Sequence, residues 1–331
     1  MGFQFSMDEM ELIFAGLSEK YDIYAPVVKK GEGTFSEIDV IRYDKVKHLS
    51  EIEWQKKSDY SFKEVLLAIN ETLFYFTEDQ TMVPKGPEKE MLVFLKACDL
   101  NALKRLDQIY LDNVFGDFYY ARIREKAKFI LMGCSESCEN GFCVSMGTNK
   151  AENYDAYMAI EGDKVMVDAK DETLGQVFAC GRSADVAPAF VTENHEKVTL
   201  PQNLNPVKVR DLPLWKEYGD RCITCGRCNF ACPTCTCFTM QDIFYKDNAR
   251  VGERRRVWAS CQVDGYTDIA GGIGFRGSKA DRMRFKVMHK IYDFEKRFGY
   301  QMCVGCGRCN DICPEYISYS NMINRLAKEE M

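Results

Sequence analysis

The chain has 331 residues, a length that suits about two domains. Its 46% hydrophobic and 28% charged content is that of an ordinary globular protein, and a net charge of −6 excludes a global basic field for nucleic acid. No apolar run reaches the roughly eighteen residues that a membrane-spanning helix needs.

Taken in chain order, roughly the first two hundred residues read as mixed α/β. Ser6 caps an apolar-periodic stretch to residue 20, which predicts a helix. Asp22–Val27, Ile38–Arg42 and Glu71–Phe76 read as strands, with a helix beginning at Ser61-Phe62-Lys63. Met91–Leu95 is a continuous apolar run, the pattern of a buried strand, followed by Cys98 and by leucines at helical spacing from Leu100 to Tyr110. Lys128–Met132 repeats this, a buried strand leading into a cysteine-bearing turn, and Tyr157–Ala169 reads as a hairpin around Gly162-Asp163. The prolines and asparagines of Pro201–Pro213 predict a linker. Beyond it, Gln241–Tyr245, Arg282–Arg297 and Tyr319–Lys328 read as helices. The expected architecture is an α/β domain over 1–205 with cysteine-bearing loops, then a mainly α-helical dicluster ferredoxin-type domain over 206–331.

Sixteen cysteines, with no basic start and apolar core of a secretory signal, point to ligand thiols in a reducing cytoplasm rather than to a disulfide scaffold. Two copies of C-x2-C-x2-C-x3-C-P carry the chemistry: Cys222, Cys225, Cys228, Cys232-Pro233, and Cys303, Cys306, Cys309, Cys313-Pro314. This is the spacing by which paired [4Fe–4S] cubes are held, the fourth cysteine of each motif completing the other cube. Cys222, Cys225, Cys228 and Cys313 are therefore expected on one cube, and Cys303, Cys306, Cys309 and Cys232 on the second. Thiolates are soft ligands suited to iron–sulfide units, whereas zinc sites commonly use two C-x2-C pairs. The seventy residues at positions 233–302 are too many for a compact two-hairpin ferredoxin and fit helices between two cluster loops better.

A second cysteine group lies upstream. Cys134, Cys138 and Cys143 occupy a polar, turn-rich loop after one apolar strand, and Cys98 follows another. If those strands are neighbours, their C-terminal turns meet at the edge where open α/β sheets place ligands, and these four thiols would form a third cluster site. The competing reading is that they pack as small hydrophobes. Cys235, Cys237 and Cys261 read as packing or hydrogen-bonding residues near a cluster, and Cys180 as structural.

Other signals carry less. Gly272-Ile-Gly274-Phe-Arg-Gly277 matches a nucleotide-loop pattern but lacks the preceding strand and later acidic residue, so a tight turn is expected. The basic residues from Arg254 to Lys290 read first as a solvated face, next as screening for negative clusters, and most specifically as a docking surface for an acidic partner. His48, His195 and His289 sit in no catalytic motif, so no self-contained catalytic centre is visible.

Lys96-Ala-Cys98-Asp99-Leu100, Gly133-Cys134 through Phe142-Cys143-Val-Ser-Met-Gly147, Cys232-Pro-Thr-Cys235-Thr-Cys237-Phe238 and Val304-Gly-Cys306-Gly-Arg-Cys309 together resemble the iron–sulfur β subunits of soluble hydrogenases. More closely, they resemble the A subunits of anaerobic, NADH-dependent sulfite reductases, from about residue 6 to residue 325. The resemblance implies a cytoplasmic complex in which an NADH-oxidising flavin subunit supplies electrons. This chain would relay them through its clusters to a sirohaem subunit that reduces sulfite to sulfide. The alternative is the equivalent relay in a soluble hydrogenase or another flavin-coupled oxidoreductase.

Overall fold

A computed structural model of the protein describes residues 1–33, 37–245 and 248–329, so the last two residues of the expected 206–331 domain lie outside the described residues. The strands are β1 (Gly2–Ser6), β2 (Tyr21–Lys29), β3 (Val40–Lys45), β4 (Asn70–Phe76), β5 (Thr81–Met82), β6 (Glu90–Leu95), β7 (Ala127–Met132), β8 (Ala156–Glu161), β9 (Lys164–Ala169), β10 (Arg182–Ser183), β11 (Phe238–Tyr245) and β12 (Asn248–Trp258). They divide between two compact units. One comprises residues 1–67, 85–138 and 148–193, and the other comprises 68–84, 139–147 and 194–331. This division differs from a single cut at 205, because two short upstream segments join the second unit.

The first unit is built on an eight-stranded sheet of order β10-β1-β9-β8-β7-β6-β2-β3. Its centre, β8-β7-β6-β2, is parallel, and its flanking pairs are antiparallel. β6 and β7 are buried along nearly their whole length, as strands covered on both faces must be, which explains their unbroken apolar runs. The helix Met7–Lys20 starts at a reciprocal cap: Ser6 accepts from the Glu9 N–H, and the Glu9 carboxylate accepts from the Ser6 N–H. Its Met10, Phe14 and Leu17 fall on one face and pack with Phe94, Ile130 and Met158 of the sheet. Residues 97–110 form the expected helix, with Leu100, Leu103, Leu106 and Tyr110 buried.

The second unit has a helical core and its own sheet. The helices Leu214–Arg221, Lys279–Met288 and Tyr319–Lys328 bury Trp215, Tyr218, Met283, Val287, Met322, Ile323 and Leu326 together. Each such side chain contributes roughly 1.5–3 kcal/mol on full burial. The mainly helical expectation is corrected here by a four-stranded sheet of order β11-β12-β4-β5. Gln241–Tyr245, read as helix, lies in β11, because its residues pair in register with β12 from Phe238↔Trp258 onward. β12 in turn pairs with β4, whose Glu71 makes a buried ion pair with Arg256 at 2.8 Å.

Pro201–Pro213 is not a bare linker. Asn205 caps a short helix, Pro206–Arg210, and the buried Trp215 indole donates to the Val209 carbonyl at 2.5 Å. The Gly272 region forms a short hairpin, Asp268–Ile269 with Ile273–Gly274, in line with a turn. Among the described residues no helix is long and apolar enough to cross a membrane.

Candidate metal centre

The two cysteine motifs fold almost identically. In each, the third residue has a left-handed backbone (Thr224, φ 60; Gly305, φ 62), and its N–H donates to the first cysteine's sulfur at 3.4 Å. The following glycine is also left-handed (Gly226, φ 75; Gly307, φ 77) and opens a one-turn helix that carries the third cysteine. Glycine is required at Gly307 on two counts, since a Cβ there would lie 2.2 Å from the Asn140 carbonyl oxygen. An asparagine follows the third cysteine in both copies, with Sγ to Oδ1 distances of 3.8 Å at Cys228–Asn229 and Cys309–Asn310.

The motifs bring their cysteines around two cavities. The first, partly open and about 480 Å³, is lined by Cys222, Cys225, Cys228, Cys309 and Cys313. The second, about 360 Å³, is lined by Cys228, Cys232, Cys303, Cys306 and Cys309. Each expected set of four therefore faces one cavity, with Cys228 and Cys309 common to both. Cys225 is exposed while its counterpart Cys306 is buried, so the first cavity is nearer the surface. Among the described residues no three His, Cys, Asp or Glu side chains are gathered as a site for a single metal ion.

The surroundings suit an anionic occupant. Arg282, Lys286 and Lys290, four residues apart along one helix, are all buried, with exposures of 4%, 4% and 3%. Lys286 lines both cavities and is hydrogen-bonded to Cys228, whereas Lys290 lines only the second and donates to the Thr234 hydroxyl at 2.8 Å. Burial alone would pull the Lys286 ammonium down, but Cys228, Cys309 and Cys235 hold it well above its ordinary range. Lys290 is raised in the same way, against burial, by Cys232, Cys235 and Cys303. The Tyr319 hydroxyl, buried and lining both cavities, has no hydrogen-bond partner among the described residues. Two buried ammonium groups and an orphaned hydroxyl are costly unless negative charge and acceptors lie beside them, and sulfide-rich cubes on four thiolates supply both. Burial pushes the Cys228 and Cys309 thiols up and Cys303 to about 12, so metal binding here must release protons.

The helix carrying these lysines widens at His289–Asp293, where the Phe294 N–H reaches back to the His289 carbonyl. The Lys290 carbonyl instead accepts from Met302 at 2.8 Å and from Cys303 at 3.3 Å, anchoring the start of the second motif.

The upstream cysteines are placed differently. β6 and β7 are parallel neighbours, Leu95 facing Leu131, so the condition for Cys98 and Cys134 to share a sheet edge is met. Cys134 is bridged to Phe190 and its thiol is raised by burial, and Cys138 lies near enough to add to that shift. Cys98, Cys134 and Cys138 belong to the first unit and Cys143 to the second, where its loop packs on the second motif through Phe142 N–H to the Gly305 carbonyl at 2.7 Å. Cys180, expected to be structural, is exposed.

Of the basic residues read as a docking surface, Arg254 pairs with Asp242, Arg255 with Glu253, Arg256 with Glu71 and Arg282 with Asp264. Lys286 and Lys290 face the cysteines, which is the screening role weighed for this stretch. The sequence reading did not separate these lysines from the rest, although their four-residue spacing with Arg282 marks a single helix face.

Residues 221–317 match a 4Fe-4S dicluster domain. Over 333 residues the chain is 26% identical to the Sulfhydrogenase 2 subunit beta of Pyrococcus furiosus, spanning 95% of this chain and 94% of that protein. No solved structure matches the chain significantly. These likenesses support an iron–sulfur electron-transfer subunit related to hydrogenase β subunits.

Proposed function

We propose that the chain is the iron–sulfur relay subunit of a hydrogenase-type or other flavin-coupled oxidoreductase complex. Cys222, Cys225, Cys228 and Cys313 hold one [4Fe–4S] cluster, and Cys303, Cys306, Cys309 and Cys232 the second. The observation that carries this reading is that each set of four lines its own cavity, with buried lysines beside both. Such clusters supply one-electron chemistry between a two-electron donor and a further acceptor. The chain's own groups tune that chemistry. Backbone N–H groups of Thr224, Gly305 and Ile317 donate to the Cys222, Cys303 and Cys313 sulfurs, and Lys286 and Lys290 offset negative charge. The likeness to a sulfhydrogenase β subunit along nearly the whole chain favours the hydrogenase-type complex.

A second reading, delivery of electrons to a sirohaem sulfite reductase subunit, is favoured by the order of the upstream cysteine blocks. For the third cluster, the shared β6–β7 edge supports Cys98 and Cys134 as neighbouring ligands. Anaerobic co-purification from the native cell separates the two partners. A nickel–iron subunit with a flavin subunit supports the first reading, and a sirohaem protein supports the second. An isolated chain without iron–sulfur absorbance would overturn both.

A further inference from the structure

Two cysteines outside both motifs lie against the same centre. Cys237 immediately precedes β11 and Cys261 follows β12, and the Ala259 N–H donates to the Cys237 carbonyl at 2.9 Å, so the ends of this ladder carry the two residues together. Their thiols are in hydrogen-bond contact with each other. Cys261 is 4% exposed, and its sulfur accepts from Asn229 Nδ2 at 3.0 Å and from Gln262 Nε2 at 3.6 Å. Neither donor is remote from the cavities: Asn229 Oδ1 is 3.8 Å from the Cys228 sulfur, and Gln262 lines the first cavity. An inert buried cysteine packs against apolar atoms. Cys261 instead faces two amide donors and a second thiol.

We propose that Cys237 and Cys261 are a redox-active dithiol–disulfide couple joined to the relay through Asn229 and Cys228, an inference that rests on the relay reading. On oxidation the Cys237 S–H bond breaks and one Sγ–Sγ bond forms to Cys261, the sulfur held as thiolate. One proton, that of Cys237, leaves to solvent; the Tyr266 hydroxyl beside Cys237 is partly exposed. The two electrons pass singly to the iron–sulfur relay, and the reverse reaction draws two electrons from it. The roles of the sulfurs differ. Cys237, its mutual hydrogen bond and burial both acting against ionisation, is held up as the thiol, while Cys261 is lowered to about 5 by Cys237 first, with Asn229 and Gln262 adding to it against burial. The couple would store an electron pair beside single-electron carriers, matching the relay to two-electron donors and acceptors.

The test poises the anaerobic holoprotein at a series of potentials, quenches it in acid, alkylates free thiols and maps the peptides. The proposal expects a Cys237–Cys261 disulfide in the oxidised samples and both thiols free in the reduced ones, with a reversible transition. Coulometry should find about two electrons per chain beyond those taken up by iron, lost in Cys237→Ser. Two thiols alkylated at every potential, a metal ion retained on the pair, or an unchanged electron count in Cys237→Ser would overturn it. Iron and sulfide analysis of the same samples reports separately on the relay reading, so its failure is distinguishable from failure of the couple. If Cys237→Ser does not fold, the mapping of the unaltered protein still decides.

Discussion

Lys286 and Lys290 do what the cysteines alone cannot, since a reduced cluster on four thiolates carries extra negative charge that only a cation beside it offsets. A unit charge about 7 Å away at an effective dielectric near 20 is worth about 2 kcal/mol, or on the order of 0.1 V for one electron. Lys286→Met conserves volume and removes one cation facing both cavities, so both potentials should fall by roughly that amount. Lys290→Met should lower chiefly the centre at Cys232, Cys303, Cys306 and Cys309. EPR-monitored redox titration reads this, and equal shifts in the two variants, or none, would remove the lysines from the account. The eight motif cysteines were legible because their spacing is local. The lysines were not, because the chain's basic residues also include Arg254 and Arg255, which pair on the sheet, and nothing local says which charges point inward.

Among the elements, the interrupted helix from Lys279 to Phe298 links packing to the site. Its widened turn places His289 where burial first, then Lys290, Arg276 and Arg297, lower its pKa to about 4. The unfolded chain, with histidine near 6.5, binds a proton between pH 6.5 and 4 that the folded chain does not. Stability therefore rises with pH through that window and is lost on acidification, by about 2 kcal/mol between neutrality and pH 5. Thermal melts at pH 7 and pH 5 should show a larger loss for the unaltered protein than for His289→Gln, and equal losses would contradict the assignment. Helix periodicity over 282–297 was readable from the sequence, but the wide turn was not, since it answers to the Met302 and Cys303 N–H groups that its Lys290 carbonyl accepts. Gln241–Tyr245 was misread for a related reason: its pairing partner begins beyond a short connection, and pairing outweighed a weak helical pattern.

Across the molecule, the first unit's sheet was largely visible as apolar runs and hairpins, because strands buried on both faces leave an unbroken hydrophobic signature. Membership of the units was not. Asn70–Phe76 reads locally as a strand, yet it pairs with β12 of the second unit, where Glu71 meets Arg256 and Thr72 bonds to Glu253. The segment 139–147 likewise belongs with the second unit, where Phe142 joins the helical core and its N–H bonds to Gly305. Such pairings are set by contacts far apart in sequence, which residue patterns do not encode. The second unit thus combines five parts of one design: two motif loops, a lysine-bearing helix, a ladder ending at Cys237 and Cys261, and an upstream loop closing over Gly305 and Gly307.

The most direct test of this account is iron and acid-labile sulfide analysis of the anaerobically purified protein, combined with EPR spin counting after reduction. Two cubes predict about eight irons and eight sulfides per chain with reducible [4Fe–4S] signals, and about twelve of each would add the Cys98, Cys134, Cys138 and Cys143 group. Stoichiometric zinc with little iron, or iron without a reducible cluster signal, would contradict the relay.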